Sequence, residues 1–301
     1  MRTASAYAPG HLTGLFQICD QSPDLLQKGS RGSGVSLDIG VYTKVTSEPA
    51  KKTNWAIKIN GEQTNGAFVS ENVLNKFIKS IKPQAISVEH FVETPMVAGF
   101  GSSGGGALSL ALALNEATGA GWSRIEASNT AHIAEIECGT GLGSVFAAER
   151  GGFGVLIKPG APGIGDSISY PNSRDLRVVY LHFGSISTKE ALANLVLRAK
   201  INDLGGRFVD ELQRQPTTER FMRFSREFAE HVGLVTPKLR SLFEKMDSAG
   251  YTFTMAMFGE VAFSVMPKEK ALEAAALLEK AVPGYEVVVV GVDREGAKIL
   301  D

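Results

Sequence analysis

A glycine-rich segment is the part of the sequence whose residue types point most directly to chemistry. It spans residues 95–106, and residues 99–106 contain five glycines in eight positions. Glycine permits positive φ and lets a bulky ligand approach the main chain. The alanine- and leucine-rich residues 107–118 predict a helix, whose free N–H groups at the start favour anions. The segment therefore predicts a phosphate-binding loop, in which Ser102 and Ser103 could bind a triphosphate oxygen or Mg²⁺.

Two well-known phosphate loops fit this segment less well. A Walker loop ends in Gly-Lys-Ser or Gly-Lys-Thr, whereas alanine follows Gly106 and no lysine can reach the β- and γ-phosphates. A dinucleotide fingerprint is formally present, but it should follow a buried parallel strand, and residues 89–95 are poor candidates for one. Its glycines would be Gly99, Gly101 and Gly104. A nicotinamide oxidoreductase is therefore kept as an alternative, as is a turn that only packs a helix closely.

The segment resembles the phosphate loop of the GHMP kinase superfamily. The signature of that loop is Pro-x-x-x-Gly-Leu-Gly-Ser-Ser-Ala-Ala, and this chain departs from it only by Phe100 for leucine and by glycine for the alanines. The matching positions imply that ATP is bound by Pro95, Gly99, Gly101, Ser102, Ser103, Gly104, Gly105 and Gly106. The resemblance thus implies a small-molecule kinase that uses ATP and Mg²⁺.

Further stretches make the resemblance narrower and extend it over most of the chain. They are similar to stretches of the archaeal pantoate kinases, which phosphorylate an intermediate of coenzyme A synthesis. These stretches are residues 8–16, 28–34, 131–135, 140–143, 151–152 and 158–163. The implied acceptor is the primary hydroxyl of a pantoyl group, in pantoate or in pantothenate, with another small hydroxy acid as a weaker alternative.

The resemblance also implies an α+β fold of two domains, with ATP and the acceptor between them. The N-terminal domain would have a left-handed βαβ crossover and the C-terminal domain would be ferredoxin-like. Spacing alone cannot indicate that crossover, because the general rule favours the right hand. The proline- and glycine-rich residues 158–165 predict the boundary, which gives domains of residues 1–165 and 166–301.

The site residues are carried over from the same resemblance. Ser103 and Glu135 would be the Mg²⁺ ligands. These two residues and Ser144 would be the catalytic residues. The residues implied to hold the acceptor's carboxylate and hydroxyls are Ser30, Arg31, His132 and Thr188. The spacing of His132 and Glu135 gives independent support, because residues three apart on a predicted helix face the same way. Such a pair taken alone is more often a solvated surface pair.

Two departures from the family pattern bear on the activity. Ser144 stands where the family has a catalytic aspartate, and Leu156 lies near the position of a family arginine. Loss of a general base typically costs about 10²- to 10⁴-fold in rate, so transfer would be slowed and not abolished. Loss of the guanidinium favours an acceptor whose carboxylate lies elsewhere, as in pantothenate. A catalytically inactive ATP-binding or regulatory protein is the second class of function kept open.

The elements that must position the loop follow from hydrophobic pattern and turn residues. Strand patterns followed by helical ones occupy the first half, and strands and helices alternate in the second. Residues 35–59 predict short strands separated by turns, and the other predicted strand regions are residues 86–92, 153–157, 176–183, 251–266 and 285–292. The predicted helices are residues 107–118, 123–137, 188–200, 217–232, 237–249 and 268–281. The second of these would begin at a Ser123 cap with Glu126 in the capping-box position.

Composition limits the remaining classes of function. The chain has 301 residues, 44% hydrophobic residues and a formal net charge of −1, so no overall field would gather nucleic acid or an anionic membrane. The longest strongly apolar stretch, residues 107–114, is far shorter than the roughly 20 residues of a membrane span. Cys19 and Cys138 have no metal-ligand spacing, so we expect a reduced, cytoplasmic protein. Its partner would be the small-molecule acceptor, and a homodimer is left open.

Overall fold

The computed structural model describes residues 1–186 and 188–300, which form two β-sheets and the helices that cover them. The strands are β1 (Arg2–Cys19), β2 (Gly29–Pro49), β3 (Asn54–Ile59), β4 (Glu62–Gln63), β5 (Gln84–Val92), β6 (Phe153–Lys158), β7 (Asp166–Ser169), β8 (Leu176–Ser185), β9 (Thr254–Met255), β10 (Gly259–Pro267), β11 (Val287–Gly291) and β12 (Lys298–Leu300). The helices are α1 (Phe68–Phe77), α2 (Ser102–Thr118), α3 (Arg124–Cys138), α4 (Ser144–Arg150), α5 (Thr188–Ala193), α6 (Leu195–Arg214), α7 (Thr218–Val232), α8 (Pro237–Ser248) and α9 (Lys268–Ala281).

The larger sheet has the strand order β12-β1-β2-β5-β3-β4, and β6 and β7 extend it from β2. Most of its pairs are antiparallel, but β3 and β5 are parallel neighbours joined through α1. The smaller sheet has the order β11-β8-β10-β9, with α5 to α8 between its β8 and β9 and with α9 between β10 and β11. The predicted α+β class is confirmed, whereas the hand of the crossover stays a prediction.

The two parts of the chain pack against each other and share strands. Leu12 and Phe153 belong to the same apolar core as Phe221 and Phe263 of the second half. Beyond residue 165, β7 pairs with β6 and β12 pairs with β1, so both belong to the larger sheet. The proposed division at residue 165 stays a prediction.

Helix α2 is the central helix of the first half. Its residues from Gly104 to Leu114 are all buried, and it packs on β1, β2 and α3. A helix that is apolar all round requires such an interior position. It begins at Ser102, five residues before the start that the apolar pattern predicts, because the glycines of the loop continue into its first turn.

The sequence pattern predicts the start of α3 correctly but does not predict the break between α5 and α6. Ser123 caps α3 as predicted, and its side chain and that of Glu126 form the reciprocal capping box. The helix predicted over residues 188–200 is two helices, α5 and α6, and the side chain of Asn194 caps the second. Among the helices of the described residues, none is long and apolar enough to cross a membrane.

Candidate active site

The glycine-rich segment forms a tight loop that ends in the first turn of α2. Gly99 and Gly101 have φ of 81° and 63°, the left-handed conformations that favour glycine. A Cβ on Gly99 would lie 2.9 Å from the carbonyl oxygen of Met257, so a side chain has no space there. The Gly105 N–H donates to the Gly101 carbonyl at 2.9 Å, and this is the first main-chain hydrogen bond of the helix. The N–H groups of residues 102–104 therefore have no intrahelical acceptor and are available to an anion.

A buried carboxylate lies directly behind this turn. Glu135 of α3 is only 2% exposed, and its Oε1 accepts hydrogen bonds from the hydroxyls of Ser103 and Thr140, the latter at 2.8 Å. Its Oε2 accepts a hydrogen bond from Ser144 at the start of α4. Three hydroxyl groups, from the start of α2, the turn after α3 and the start of α4, thus converge on one carboxylate group.

Glycines let these segments approach so closely. A Cβ on Gly104 would lie 2.8 Å from Oε2 of Glu135 and 2.7 Å from Oγ of Ser144. A Cβ on Gly141 would lie closer still to the same two oxygens. Gly104 and Gly141 are therefore required by packing around the carboxylate, since neither has positive φ.

Two cavities meet at this cluster. The inner cavity, of about 110 Å³, is bounded by β1, β2, α4 and α5, and the outer cavity, of about 410 Å³, lies between α1, β5 and the glycine-rich loop. Residues shared by both linings mark the junction, and they are Gly99, Gly101, Ser103, Thr140 and Thr188. A ligand in one cavity would therefore reach a ligand in the other beside the Ser103–Glu135 pair.

Most residues predicted to bind ATP or to act in catalysis line one or both of these cavities. Ser103, Glu135, Ser144, Gly99, Gly101 and Gly104 line the inner cavity, and Ser102 and Gly106 line the outer one. Pro95 and Gly105 line neither cavity. Gly105 faces the larger sheet, where a Cβ would lie 3.5 Å from a methyl group of Val41.

The four residues predicted to bind the acceptor divide into two groups. Ser30 and Thr188 line the inner cavity. Arg31 does not, because successive side chains of a strand point to opposite faces. Its guanidinium pairs instead with Asp210, donates from Nε to the Ile157 carbonyl at 2.9 Å, and donates to Gln17 at 3.1 Å. The structure therefore does not bring Arg31 to the predicted binding site.

His132 also lies outside both cavities. Its Nε2–H donates to the carbonyls of Lys28 at 3.0 Å and of Leu25 at 3.3 Å. Burial lowers its pKa, so the ring is held as a neutral donor to the turn that leads into β2. His132 thus holds the turn before Ser30 by hydrogen bonds and does not line the inner cavity.

Sequence reasoning missed His11 and Thr13, which both line the inner cavity. His11 is 9% exposed, burial lowers its pKa to about 4, and its Nδ1 lies 3.1 Å from Oγ of Ser36. Its only sequence signal is its position in the family-like stretch of residues 8–16. Strand patterns could not place it, because an irregularity in the pairing of β1 with β2 lies between Pro9 and His11.

The two departures from the family pattern both face the inner cavity. Leu156 of β6 pairs with Gly32 of β2, Ser144 is the first residue of α4, and both side chains line the cavity. Among the described residues that line this cavity, none is a lysine or an arginine, and Glu135 is the sole carboxylate. The inner cavity is therefore a largely neutral chamber with hydroxyl groups and one acid.

The donor atoms around Glu135 fit Mg²⁺. Hard cations prefer oxygen ligands, and Mg²⁺ is usually bound through one or two carboxylates together with substrate phosphates. Glu135 supplies the carboxylate, with the hydroxyl of Ser103 beside it. Within residues 1–186 and 188–300 no group of three or more His, Cys, Asp or Glu side chains could hold a metal alone. The expected Mg²⁺ would thus depend on phosphate oxygens as further ligands.

Comparison with known proteins agrees with this geometry. The family model for the GHMP kinase N-terminal domain matches residues 68–152, which include the loop, α2 and Glu135. Among solved structures, one described as a phosphotransferase related to the CoA biosynthesis pathway superposes with a TM-score of 0.90. It is 29% identical, and the match covers 99% of this chain and 98% of that one. A mevalonate diphosphate decarboxylase from Staphylococcus aureus shares the fold at a TM-score of 0.75 and 16% identity, over 100% of this chain and 98% of that one. Fold and site together define the class of GHMP kinases.

Full-length relatives make the assignment more specific. A pantoate kinase from Methanocaldococcus jannaschii is 34% identical over 92% of this chain and 97% of its own length. A pantoate kinase from Thermococcus kodakarensis is 32% identical over 96% of each chain. The chain belongs to the pantoate kinase family of GHMP kinases. This membership favours a kinase over the nicotinamide oxidoreductase that the glycine pattern had left open.

Proposed function

We propose that this protein transfers the γ-phosphoryl group of ATP to the primary hydroxyl group of pantoate, a step of coenzyme A biosynthesis. Two relatives that match nearly the whole chain are named pantoate kinases. The observation that carries the proposal is the junction of the two cavities at Ser103, Thr140 and Thr188, beside the buried carboxylate of Glu135. A phosphoryl group at that junction would be accessible to ligands in both cavities.

The outer cavity suits the nucleotide. Apolar side chains exposed to solvent line it, namely Phe68, Met96 and Val97, with Phe68 70% exposed. Such a surface suits the flat face of a base. The triphosphate would then follow the glycine-rich loop to the free N–H groups of α2, where main-chain donors and the helix dipole favour negative charge.

The inner cavity suits a pantoyl group. Hydroxyl groups of Thr13, Ser30 and Thr188 can bond the two hydroxyls and the carboxylate of pantoate. Its two methyl groups require apolar contacts, which the remaining lining provides. These apolar residues are Phe16, Leu142, Leu156, Leu192, Met257 and Phe258.

Catalysis in this arrangement rests on positioning and on neutralisation of charge. Phosphoryl transfer proceeds through a loose transition state, with attacking and leaving oxygens roughly in line. The N–H groups at the start of α2 would hold the triphosphate, and the inner cavity would aim the acceptor hydroxyl at it. Ser103 and Glu135 would hold Mg²⁺, which when bound neutralises charge on the phosphate oxygens. Ser144 is hydrogen-bonded to Glu135 and, as a hydroxyl, is no base at neutral pH.

Pantothenate is the second candidate acceptor. Pantoate would bring its carboxylate into a cavity in which no described lining residue is cationic, because Arg31 faces away and Leu156 is apolar. Pantothenate has the same pantoyl hydroxyl, but its carboxylate lies at the end of a β-alanine arm and would extend toward solvent. The names of the relatives favour pantoate, and the neutral lining favours pantothenate.

A side-by-side acceptor screen decides between these possibilities. Purified protein would be incubated with MgATP and pantoate, pantothenate, mevalonate or homoserine, and ADP release would be measured by a coupled assay. Phosphorus NMR of the product would establish transfer to the primary hydroxyl. We expect the highest kcat/KM with pantoate. A clear preference for pantothenate would reassign the acceptor, and MgATP binding without transfer to any acceptor would support the non-catalytic alternative.

A further inference from the structure

The inner cavity has only two titratable side chains among its described lining residues, Glu135 and His11. The lining residues of β2, α2, α4, β6, α5 and the turn before β10 are glycines, hydroxyl residues and apolar residues. Glu135 already accepts three hydrogen bonds and fits the metal-binding role. His11 is therefore the side chain left to accept a proton from the acceptor hydroxyl.

Hydrogen bonding indicates which nitrogen of His11 carries its proton. Oγ of Ser36 lies 3.4 Å from the Ala147 carbonyl, which can only accept, so the Ser36 hydroxyl donates there. The Ser36 oxygen must then accept at its other contact, 3.1 Å away, from Nδ1–H of His11. Nε2 is consequently the nitrogen with a free lone pair, and it makes no hydrogen bond to any described residue.

The main chain holds this imidazole beside the phosphate loop. The His11 N–H donates to the Phe100 carbonyl at 2.8 Å, which ties β1 to the loop. A Cβ placed on Gly101 would lie 3.6 Å from Cβ of His11 and 3.7 Å from Cβ of Ser144. His11 and Ser144 thus both adjoin Gly101, where the triphosphate is expected. Nε2 has space only because residue 34 is a glycine. A Cβ at position 34 would overlap that nitrogen.

We propose that Nε2 of His11 is the proton acceptor for the hydroxyl group that attacks ATP, the role left vacant by Ser144. The inference rests on the proposed kinase function. The acceptor oxygen forms a bond to the γ-phosphorus, the bond from that phosphorus to the β,γ-bridging oxygen breaks, and ADP leaves. The hydroxyl proton passes to Nε2, and the resulting imidazolium keeps its Nδ1–H bond to Ser36 until it releases the proton to solvent.

The ionisation of His11 agrees with this role. Burial lowers the pKa to about 4, so the ring is neutral and able to accept a proton at pH 7. Negative charge nearby favours the protonated form, so an arriving triphosphate would raise the pKa from that value toward neutrality. The base would therefore become stronger when the nucleotide is bound.

Two substitutions separate proton transfer from simple binding. His11→Asn keeps a donor near the position of Nδ1 but has no acceptor at Nε2, and His11→Gln can place an amide near Nε2 that hydrogen-bonds without acting as a base. We expect both to lower kcat with the best acceptor by about 10²- to 10⁴-fold, with KM and MgATP affinity within about threefold of the wild type. The control is His231→Asn, a partly exposed histidine paired with Asp203 far along the chain, which should leave kcat unchanged.

The pH dependence of kcat distinguishes a proton acceptor from a residue with only a structural role. Wild-type kcat should fall about tenfold per pH unit below the working pKa of His11, and this acidic limb should be lost in both variants. The inference is overturned if His11→Gln keeps wild-type kcat, or if the loss lies wholly in KM. The wild-type turnover tests the proposed function and the variants test His11, so the two can fail separately.

A measurement on the unaltered protein applies even if the variants do not fold. Nitrogen NMR of histidine-labelled protein at pH 7.5 should show Nδ1 protonated and Nε2 unprotonated at His11. A proton on Nε2 in the absence of ligand would overturn the assignment, because that nitrogen could then accept no further proton.

Discussion

Replacing Glu135 by glutamine tests the central pair of the site, because the change removes the charge and keeps the shape. The carboxylate accepts three hydrogen bonds in the structure, and each hydrogen bond to a charged group is worth about 1.5–3 kcal/mol. Against this, a buried ion costs several kcal/mol of desolvation, and no described cation pairs with Glu135. The two effects nearly cancel. We expect the ligand-free melting temperature to change by no more than about 2 °C, because about 1 kcal/mol corresponds to about 1.6 °C when the unfolding entropy is about 2.1 cal/mol/K per residue over 301 residues.

The effect on MgATP binding should be much larger. Loss of groups that merely support a metal ligand costs 10- to 100-fold in affinity, so loss of the ligand itself should cost at least about 100-fold. At a MgATP concentration of 100 times the wild-type Kd, binding stabilises the wild type by about 2.7 kcal/mol and such a variant by about 0.4 kcal/mol. The MgATP-induced rise in melting temperature should therefore fall from about 4 °C to less than about 1 °C.

Thermal unfolding with and without MgATP measures both quantities on the same samples. The matched control is Glu137→Gln, two residues along the same helix, where the carboxylate forms a partly exposed ion pair with Lys76 outside both cavities. It should keep the full MgATP-induced shift. A Glu135→Gln protein that also keeps the full shift, or that melts far below the wild type without ligand, would refute the reasoning.

Three further predictions concern packing, specificity and pH. Gly141→Ala should destabilise the protein by about 1–3 kcal/mol in urea unfolding, because its Cβ would overlap the Glu135 carboxylate, whereas Gly106→Ala, with nothing within 4 Å, should stabilise it by about 0.5–1 kcal/mol. Leu156→Arg should raise kcat/KM for pantoate relative to pantothenate by about tenfold or more, since a charged hydrogen bond is worth about 1.5–3 kcal/mol; an unchanged ratio would place the carboxylate elsewhere. Burial lowers the pKa of His11 and of His90 to about 4 from 6.5, so the unfolded chain binds more protons between these values. The contribution of these two histidines to the free energy of unfolding should be constant above pH 6.5. It should fall by up to about 1.4 kcal/mol per pH unit and per histidine as the pH drops toward 4. A His90→Asn protein should therefore show a shallower fall of the urea midpoint with decreasing pH.

Local signals in the sequence predicted the elements that hold the site. The capping box of α3 needs only Ser123 and Glu126, and the phosphate loop needs only its glycines and the apolar run behind them. These features depend on neighbours in sequence, so no tertiary information is required. The contacts of Glu135 are different, because Ser103 reaches it from the start of α2, 32 residues away in sequence. The resemblance to a family supplied the Ser103–Glu135 pair, which spacing could not.

The orientation of side chains in β1 and β2 could not be predicted for a physical reason. One step along a strand reverses the face of a side chain, so Ser30 faces the inner cavity while Arg31 pairs with Asp210 on the other side. Pairing irregularities near His11 change which face its neighbours share. Register and bulges arise from how β1 and β2 pair with each other and with β5 and β6, and only the structure reveals them.

Amide hydrogen exchange tests most directly whether the start of α2 binds the triphosphate. Exchange at residues 99–106 would be compared in the free protein, with ADP and with MgATP. We predict that MgATP slows exchange at Ser102, Ser103 and Gly104, and that ADP does so less. Binding of MgATP that protects other segments and leaves these three amides unchanged would contradict the account.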